Sequence, residues 1–174
     1  MSDLKQPYTE NDHQTGTKNA PVTIVQYGDY ECPYSRLGHR FIKKILKDDQ
    51  IAVSFIFRHF PLKKLHTHAE LSAWVAESAA NQQKFWEMHN LLFDHNDNLR
   101  SDLIMDLAKR LDLDMNRLQK DIDSDKVRSK VRDDIRGGLN SGVKETPAFF
   151  INGERYKGEL DAPDIKKAIK EEIV

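Results

Sequence analysis

The chain has 174 residues, enough for one domain, or one domain carrying a sizeable insertion, and too few for a multidomain assembly. With 39% hydrophobic and 9% aromatic residues it can bury a real core, which sets aside whole-chain disorder and fibrous repeats. The 27 Lys and Arg balance 28 Asp and Glu, so a net charge of -1 supplies no field that would gather nucleic acid or an anionic membrane.

The first twenty residues are polar, include Pro7 and Gly16, and read as an extended arm (1–20) leading into the fold. Their opening, Met1-Ser2-Asp3-Leu4-Lys5-Gln6, has no apolar stretch of a leader peptide, and the longest apolar run, Ile51 to Phe57, is far short of a membrane span. With a single cysteine, Cys32, no intrachain disulfide is available, and the expectation is a cytoplasmic protein with a reduced thiol. Structure is expected to begin near Val22. Val22 to Tyr27 is β-rich, Gly28-Asp29 breaks it, and from Cys32 the period becomes helical through Leu37, Phe41, Ile42, Ile45 and Leu46. Ile51 to Phe57 is again of strand type, so the opening third is a βαβ unit with parallel strands and a right-handed crossover.

From Leu65 to Leu139 the periodicity is helical almost throughout. It includes the Ala-rich residues 69–80, the segment from Phe85 to Phe93, and a helix behind a predicted N-cap, Ser101, with Leu103, Ile104, Leu107, Ala108 and Leu111 on one face. A short segment follows with Met115, Leu118 and Ile122. The next helix starts near Ser124, aligns Val127, Val131 and Ile135, and reaches Gly137-Gly138 as ending or packing glycines. Strand character returns in Ala148 to Ile151, Asn152-Gly153 is a two-residue hairpin turn, and Glu154 to Lys157 leads back. The last helix is capped by Asp161, tolerates Pro163 in its first turn, and buries Ile165, Ala168, Ile169 and Ile173. The order is βαβ, helical block, ββα.

Cys32-Pro33-Tyr34-Ser35 sits where a strand turns into a helix, so the sulfur lies against unsatisfied amide groups and the positive end of the helix dipole. A thiolate is favoured there. The dipole contributes only about 0.3–2 kcal/mol, so hydrogen bonds from Ser35 and from backbone amides must add to it. A lone cysteine is more often a small buried hydrophobe. An apolar filler would occupy the helix stripe, however, rather than the first turn above the polar Gly28-Asp29-Tyr30-Glu31 loop, and that position favours a reactive thiol.

Gln26 to Ser35 resembles the active-site segment of the DsbA-like branch of the thioredoxin superfamily, with Ser at the fourth motif position where that branch has Cys. Asp12 to Gly16 leading into Ala20-Pro21-Val22-Thr23, Lys84 to His89, and Ser141 to Gly153 resemble the same branch in the same order, so the similarity runs from about residue 12 to the end. The resemblance implies an α/β thioredoxin fold (βαβ…ββα) split between residues 21–62 and 142–174, with a helical insertion at 63–141. It also implies that Pro147 is cis and faces the cysteine, that Thr146 offers backbone hydrogen bonds to a bound peptide or thiol, and that Pro33 and Tyr34 help form the docking surface.

A dithiol enzyme resolves its mixed disulfide with the second cysteine. Ser35 cannot, so the resemblance leads to monothiol exchange: Cys32 as nucleophile, Ser35 stabilising its thiolate, and an external thiol completing the cycle. The expected partners are thiol- or disulfide-containing proteins or a small thiol. No resident cofactor is expected, glutathione being the type of co-substrate implied, and nucleic acid and membrane are not expected as partners. The alternatives are a silent thiol- or protein-binding module and a glutathione-transferase or isomerase-like activity. A second departure is Gln26, where the branch often has a buried carboxylate.

Other constellations carry less. No metal site is expected, because His66 and His68 are two apart in a helical context and point to different faces. His39 is nearly two turns beyond Cys32 and reads as surface or packing, while His59 is undecided. Asp29 and Glu31 would oppose thiolate formation if they lay close to the sulfur. Trp74, Phe85, Trp86 and Phe93 read as core aromatics, and the alternating charges from Asp121 to Arg136 as a solvated helix face.

Overall fold

The computed structural model describes residues 3–173; Met1 and Ser2 of the expected arm, and the side chain of Ile173, lie outside the described residues. Five strands form one sheet in the order β1-β3-β2-β4-β5. They are β1 (His13–Gly16), β2 (Val22–Gly28), β3 (Val53–His59), β4 (Ala148–Ile151) and β5 (Glu154–Arg155). β2 and β3 pair in parallel, Val22 opposite Val53 through Gly28 opposite His59, with α1 (Pro33–Leu46) as the crossover. Residues 51 and 52 stay outside β3, because the Ile51 amide closes a turn onto the Asp48 carbonyl. At the β4–β5 hairpin Asn152 and Gly153 both have positive φ, 48° and 86°, the backbone that an Asn-Gly turn of the hairpin-favouring hand requires.

Alternation along the strands separates two cores. Ile24, Phe55, Phe57, Phe149 and Ile151 face one side with Ile42, Ile45, Ile165 and Ile169, whereas Val25, Tyr27, Ile56, Ala148 and Phe150 face the other with Phe60 and Val143. Between β3 and β4 the chain forms α2 (Ala69–Ala80), α3 (Phe85–Asp94), a short 3-10 turn, α4 (Ser101–Arg110), α5 (Met115–Ile122) and α6 (Asp125–Asn140), and α7 (Ala162–Ile173) closes it. Helices α2 to α5 extend the first core through Val75, Met88, Leu92, Phe93, Leu107 and Leu118. Helix α6 covers the second face. It runs on through Gly137 and Gly138, which are packing glycines: a Cβ on Gly138 would come within 2.7 Å of the Phe60 ring.

Several expectations are corrected. Residues 13–16 are not a free arm but an edge strand antiparallel to β3, and Leu4 is buried against the second core. The reason is Arg58, 0% exposed, whose guanidinium donates to both carboxylate oxygens of Asp12, to the carbonyls of Gln6 and Pro7, and to the Tyr27 hydroxyl, all at 2.8–2.9 Å. Burial acts to raise the Asp12 carboxyl, but the Arg58 guanidinium outweighs it and holds the group below its ordinary value. Ser101 is the first residue of α4 rather than its cap; Arg100 holds the cap position and makes no side-chain cap bond. The Asp121–Arg136 face is not solvated throughout, since Asp134 is buried, accepts from the His59 amide at 3.0 Å and pairs with Lys130 at 2.6 Å. Ser124 and Asp161 do accept from the third residue of their helices, Val127 and Asp164.

Candidate active site

The break at Gly28-Asp29 ends β2 and aims the next residues over the carboxyl end of the parallel strands. Cys32 is the N-cap of α1, with φ −78° and ψ 122°, and Pro33 takes the first helical position, where a missing N–H costs nothing. Its amide donates to the Asp29 carbonyl, its carbonyl accepts from Arg36, and Asn96 Nδ2 donates to the carbonyls of Tyr30 (2.6 Å) and Cys32 (3.1 Å). The cysteine loop is thus held from the helical block as well as from the sheet.

The Cys32 thiol donates to the Thr146 carbonyl at 3.3 Å, and the Thr146–Pro147 peptide is cis. The two segments, 114 residues apart in sequence, meet at the sulfur. Cys32 is 5% exposed, yet its neighbour Tyr34 is 67% exposed. Tyr34 lines an open cavity of about 460 Å³ together with Thr146, Pro147, Phe149, Tyr156 and Lys157. A second depression on the other side of Tyr34 is bounded by Glu31, Arg36, Arg40 and His66. Cys32, Pro33, Tyr34, Thr146 and Pro147 are therefore gathered at one place.

Ser35 is present but engaged differently from the expectation. It is fully buried, and its Oγ accepts from the Asp29 amide at 3.2 Å; among the described residues it makes no hydrogen bond to the Cys32 sulfur. Asp29 and Glu31, expected to oppose the thiolate if near it, are spent elsewhere. Asp29 accepts from the amides of Glu31 and Leu62 and pairs with His66 Nδ1, each at 2.8 Å, while Glu31 accepts from the His68 amide at 2.7 Å and pairs with its ring. His66 and His68 thereby tie the loop after β3 to the cysteine loop.

Gln26 faces the first core between Phe57 and Phe149, close to Gly28 and Gly38, with both side-chain amide atoms buried and without a partner among the described residues. His39, on α1, is buried and stacks on Phe93 with ring centroids 4.7 Å apart. Burial, reinforced by Lys43, lowers its pKa to about 4. His89 is also buried and shares a 2.9 Å hydrogen bond with the Tyr30 hydroxyl.

The family model described as Thioredoxin matches residues 8–171. The chain belongs to the thioredoxin family. Its helical block is inserted between β3 and β4. The structure is similar to that of oxidised BdbD from Bacillus subtilis, with a TM-score of 0.84 and 26% identity over 99% of this chain and 98% of that one. It also shares its fold with α-DsbA1 of Wolbachia pipientis (TM-score 0.82, 22% identity, 98% and 95% covered) and the catalytic domain of Proteus mirabilis ScsC (0.83, 20%, 98% and 93%). Among curated proteins, the Na(+)/H(+) antiporter NhaA 3 of Salinispora tropica is 37% identical over 160 residues, which is 92% of this chain and 24% of that protein. The thioredoxin-family chain thus spans about a quarter of the length of such relatives. Among its described residues no helix is long and apolar enough to cross a membrane.

Proposed function

We propose that the protein is a DsbA-like thiol-disulfide oxidoreductase working through Cys32 alone. The observation that carries this reading is the Cys32 sulfur at the head of α1, against the carbonyl of Thr146, which with Pro147 and Tyr34 lines an open cavity, and with serine at position 35. In the forward step the Cys32 thiolate attacks one sulfur of a substrate disulfide. That S–S bond breaks, a Cys32–substrate disulfide forms, and the displaced thiolate leaves and takes up a proton. With no second cysteine in the chain, an external thiolate attacks the mixed disulfide, freeing Cys32 as thiolate and carrying the substrate sulfur away in a new disulfide. Disulfides are exchanged and none is made or lost overall.

The Cys32 side chain makes no cap hydrogen bond, so the positive end of the α1 dipole supplies the favourable field for the thiolate without an amide bonded to the sulfur. When the thiol ionises, its bond to the Thr146 carbonyl is lost, and that carbonyl becomes available to an incoming backbone N–H beside Pro147. Tyr34, exposed above the cavity, offers an aromatic surface to the chain that carries the disulfide. Substrates are thus thiol- or disulfide-bearing peptides, with glutathione as the type of external thiol.

The test is the rate at which a glutathionylated peptide is released in the presence of reduced glutathione. Catalysis by the wild type, its loss in Cys32→Ser, and retention of most activity in Ser35→Ala are expected. A Cys32→Ser variant as active as the wild type would overturn the reading.

A further inference from the structure

Away from the sulfur, three side chains from three different elements converge on one point. His13 lies on β1 opposite Phe57 of β3, and His59 follows Phe57 by two residues, so both rings project from the same face of the sheet. Glu77 reaches down from α2. The Nε2 atoms of His13 and His59 lie 2.6 and 2.7 Å from the same oxygen, Oε1 of Glu77, and the three candidate ligand atoms are all within 4.8 Å of one another.

We propose that His13, His59 and Glu77 form a binding site for a divalent cation of the zinc type, with water in the fourth position. Two imidazole nitrogens and a carboxylate are a donor set suited to zinc and its first-row neighbours; calcium and magnesium prefer oxygen throughout. Tetrahedral zinc, with bonds of about 2.0–2.2 Å, holds its ligand atoms roughly 3.4 Å apart, so Oε1 must draw back from the two Nε2 atoms that now stand 2.6 and 2.7 Å from it. Small side-chain rotations suffice. The ligands come from two strands and a helix rather than from loops, and the rings are braced: His13 stacks on Phe85, and His59 packs edge-on to Phe57 and Phe85.

The way in is through Glu77. It lines a solvent-facing cavity of about 330 Å³ with Asn11, Asn81, Lys130 and Asp133, and its Oε2 makes no hydrogen bond among the described residues. Two lysines share that cavity: Lys130 is already paired with Asp134 at 2.6 Å, and Lys126 donates to Asn81 Oδ1 at 3.3 Å. Binding replaces two N–H···O hydrogen bonds by metal–ligand bonds, and the two Nε2 protons leave those atoms for Nδ1 or for solvent. A bound ion would clasp β1, β3 and α2 together, joining the N-terminal strand and the helical block to the sheet.

The experiment uses the full chain in a Cys32→Ser background, so that the thiol cannot contribute as a ligand. Zinc is titrated by calorimetry, and cobalt is added as a spectroscopic substitute. Expected are one equivalent of zinc, a rise in melting temperature that calcium and magnesium do not produce, and the intense visible absorption of four-coordinate cobalt. Both His13→Gln and Glu77→Gln should weaken zinc binding about 100-fold or more. His13 sits on an edge strand and is partly exposed, so His13→Gln decides the matter if Glu77→Gln fails to fold. No zinc binding in the parent, or binding and cobalt absorption unchanged in a folded His13→Gln variant, would overturn the proposal.

Discussion

Ser35 occupies the first turn of α1 three residues after Cys32, a spacing that puts the two side chains on the same side of a helix. Replacing its hydroxyl by a thiol restores the pair that a dithiol enzyme uses. Ser35→Cys is expected to oxidise to an intrachain disulfide, losing two hydrogens in intact mass and both free thiols in a thiol titration, and to stop accumulating mixed disulfides. Two titratable thiols persisting under oxidising conditions would contradict the geometry. His39 sets a different residue-scale expectation. Desolvation, reinforced by Lys43 and Arg40 and opposed by Asp94, lowers its pKa from 6.5 to about 4, with His89 packed against it. Between those values the unfolded chain binds a proton that the folded chain does not. The stability from burying neutral His39 is therefore fully present above pH 6.5 and lost as the pH falls toward 4. Urea unfolding should show this residue costing about 2–3 kcal/mol between pH 7 and pH 4.5. His39→Phe should make that decline shallower, leaving the similar contribution of buried His89 in place; an unchanged pH profile would rule the assignment out.

At the scale of elements, Arg58 does for the N-terminal strand what no apolar pattern does. Its guanidinium is buried and saturated by Asp12, Gln6, Pro7 and Tyr27. Arg58→Met would fill much of the volume but strand the Asp12 carboxylate, and breaking one side of a buried pair costs about 3–5 kcal/mol. Denaturant unfolding should show a loss of that size, with the region around residues 3–16 exchanging amide hydrogens faster; a loss below 1 kcal/mol on the same scale would contradict it. The same contact explains what was illegible in the sequence. β1 is four residues long, His-Gln-Thr-Gly with no apolar side chain, so its strand character comes from pairing with β3 and not from its own pattern. Elements with long periodic faces were legible: β2, α1, β3, the five helices of the block, and the Asn-Gly hairpin. Asp134 read as solvated because periodicity cannot show that the His59 amide and Lys130 wait for it inside.

For the whole molecule, the gathering of Cys32 with Thr146 and Pro147 was legible through family resemblance, because two short motifs far apart in the chain define the two walls of one site. The fixing of Asp29 and Glu31 by the loop after β3, and the convergence of His13, His59 and Glu77, were not. Each joins single residues from separate elements, and no spacing along the chain encodes such a meeting. The fold places a nearly covered sulfur beside an open cavity, and the account turns on that sulfur being attackable in the folded state. The most direct measurement is the intact mass of the native protein after incubation with glutathione disulfide, repeated after adding a reduced thiol. One glutathionyl adduct on Cys32, removed completely by the second thiol, is the predicted result. A thiol that stays unmodified until the protein is denatured would contradict the account at its centre.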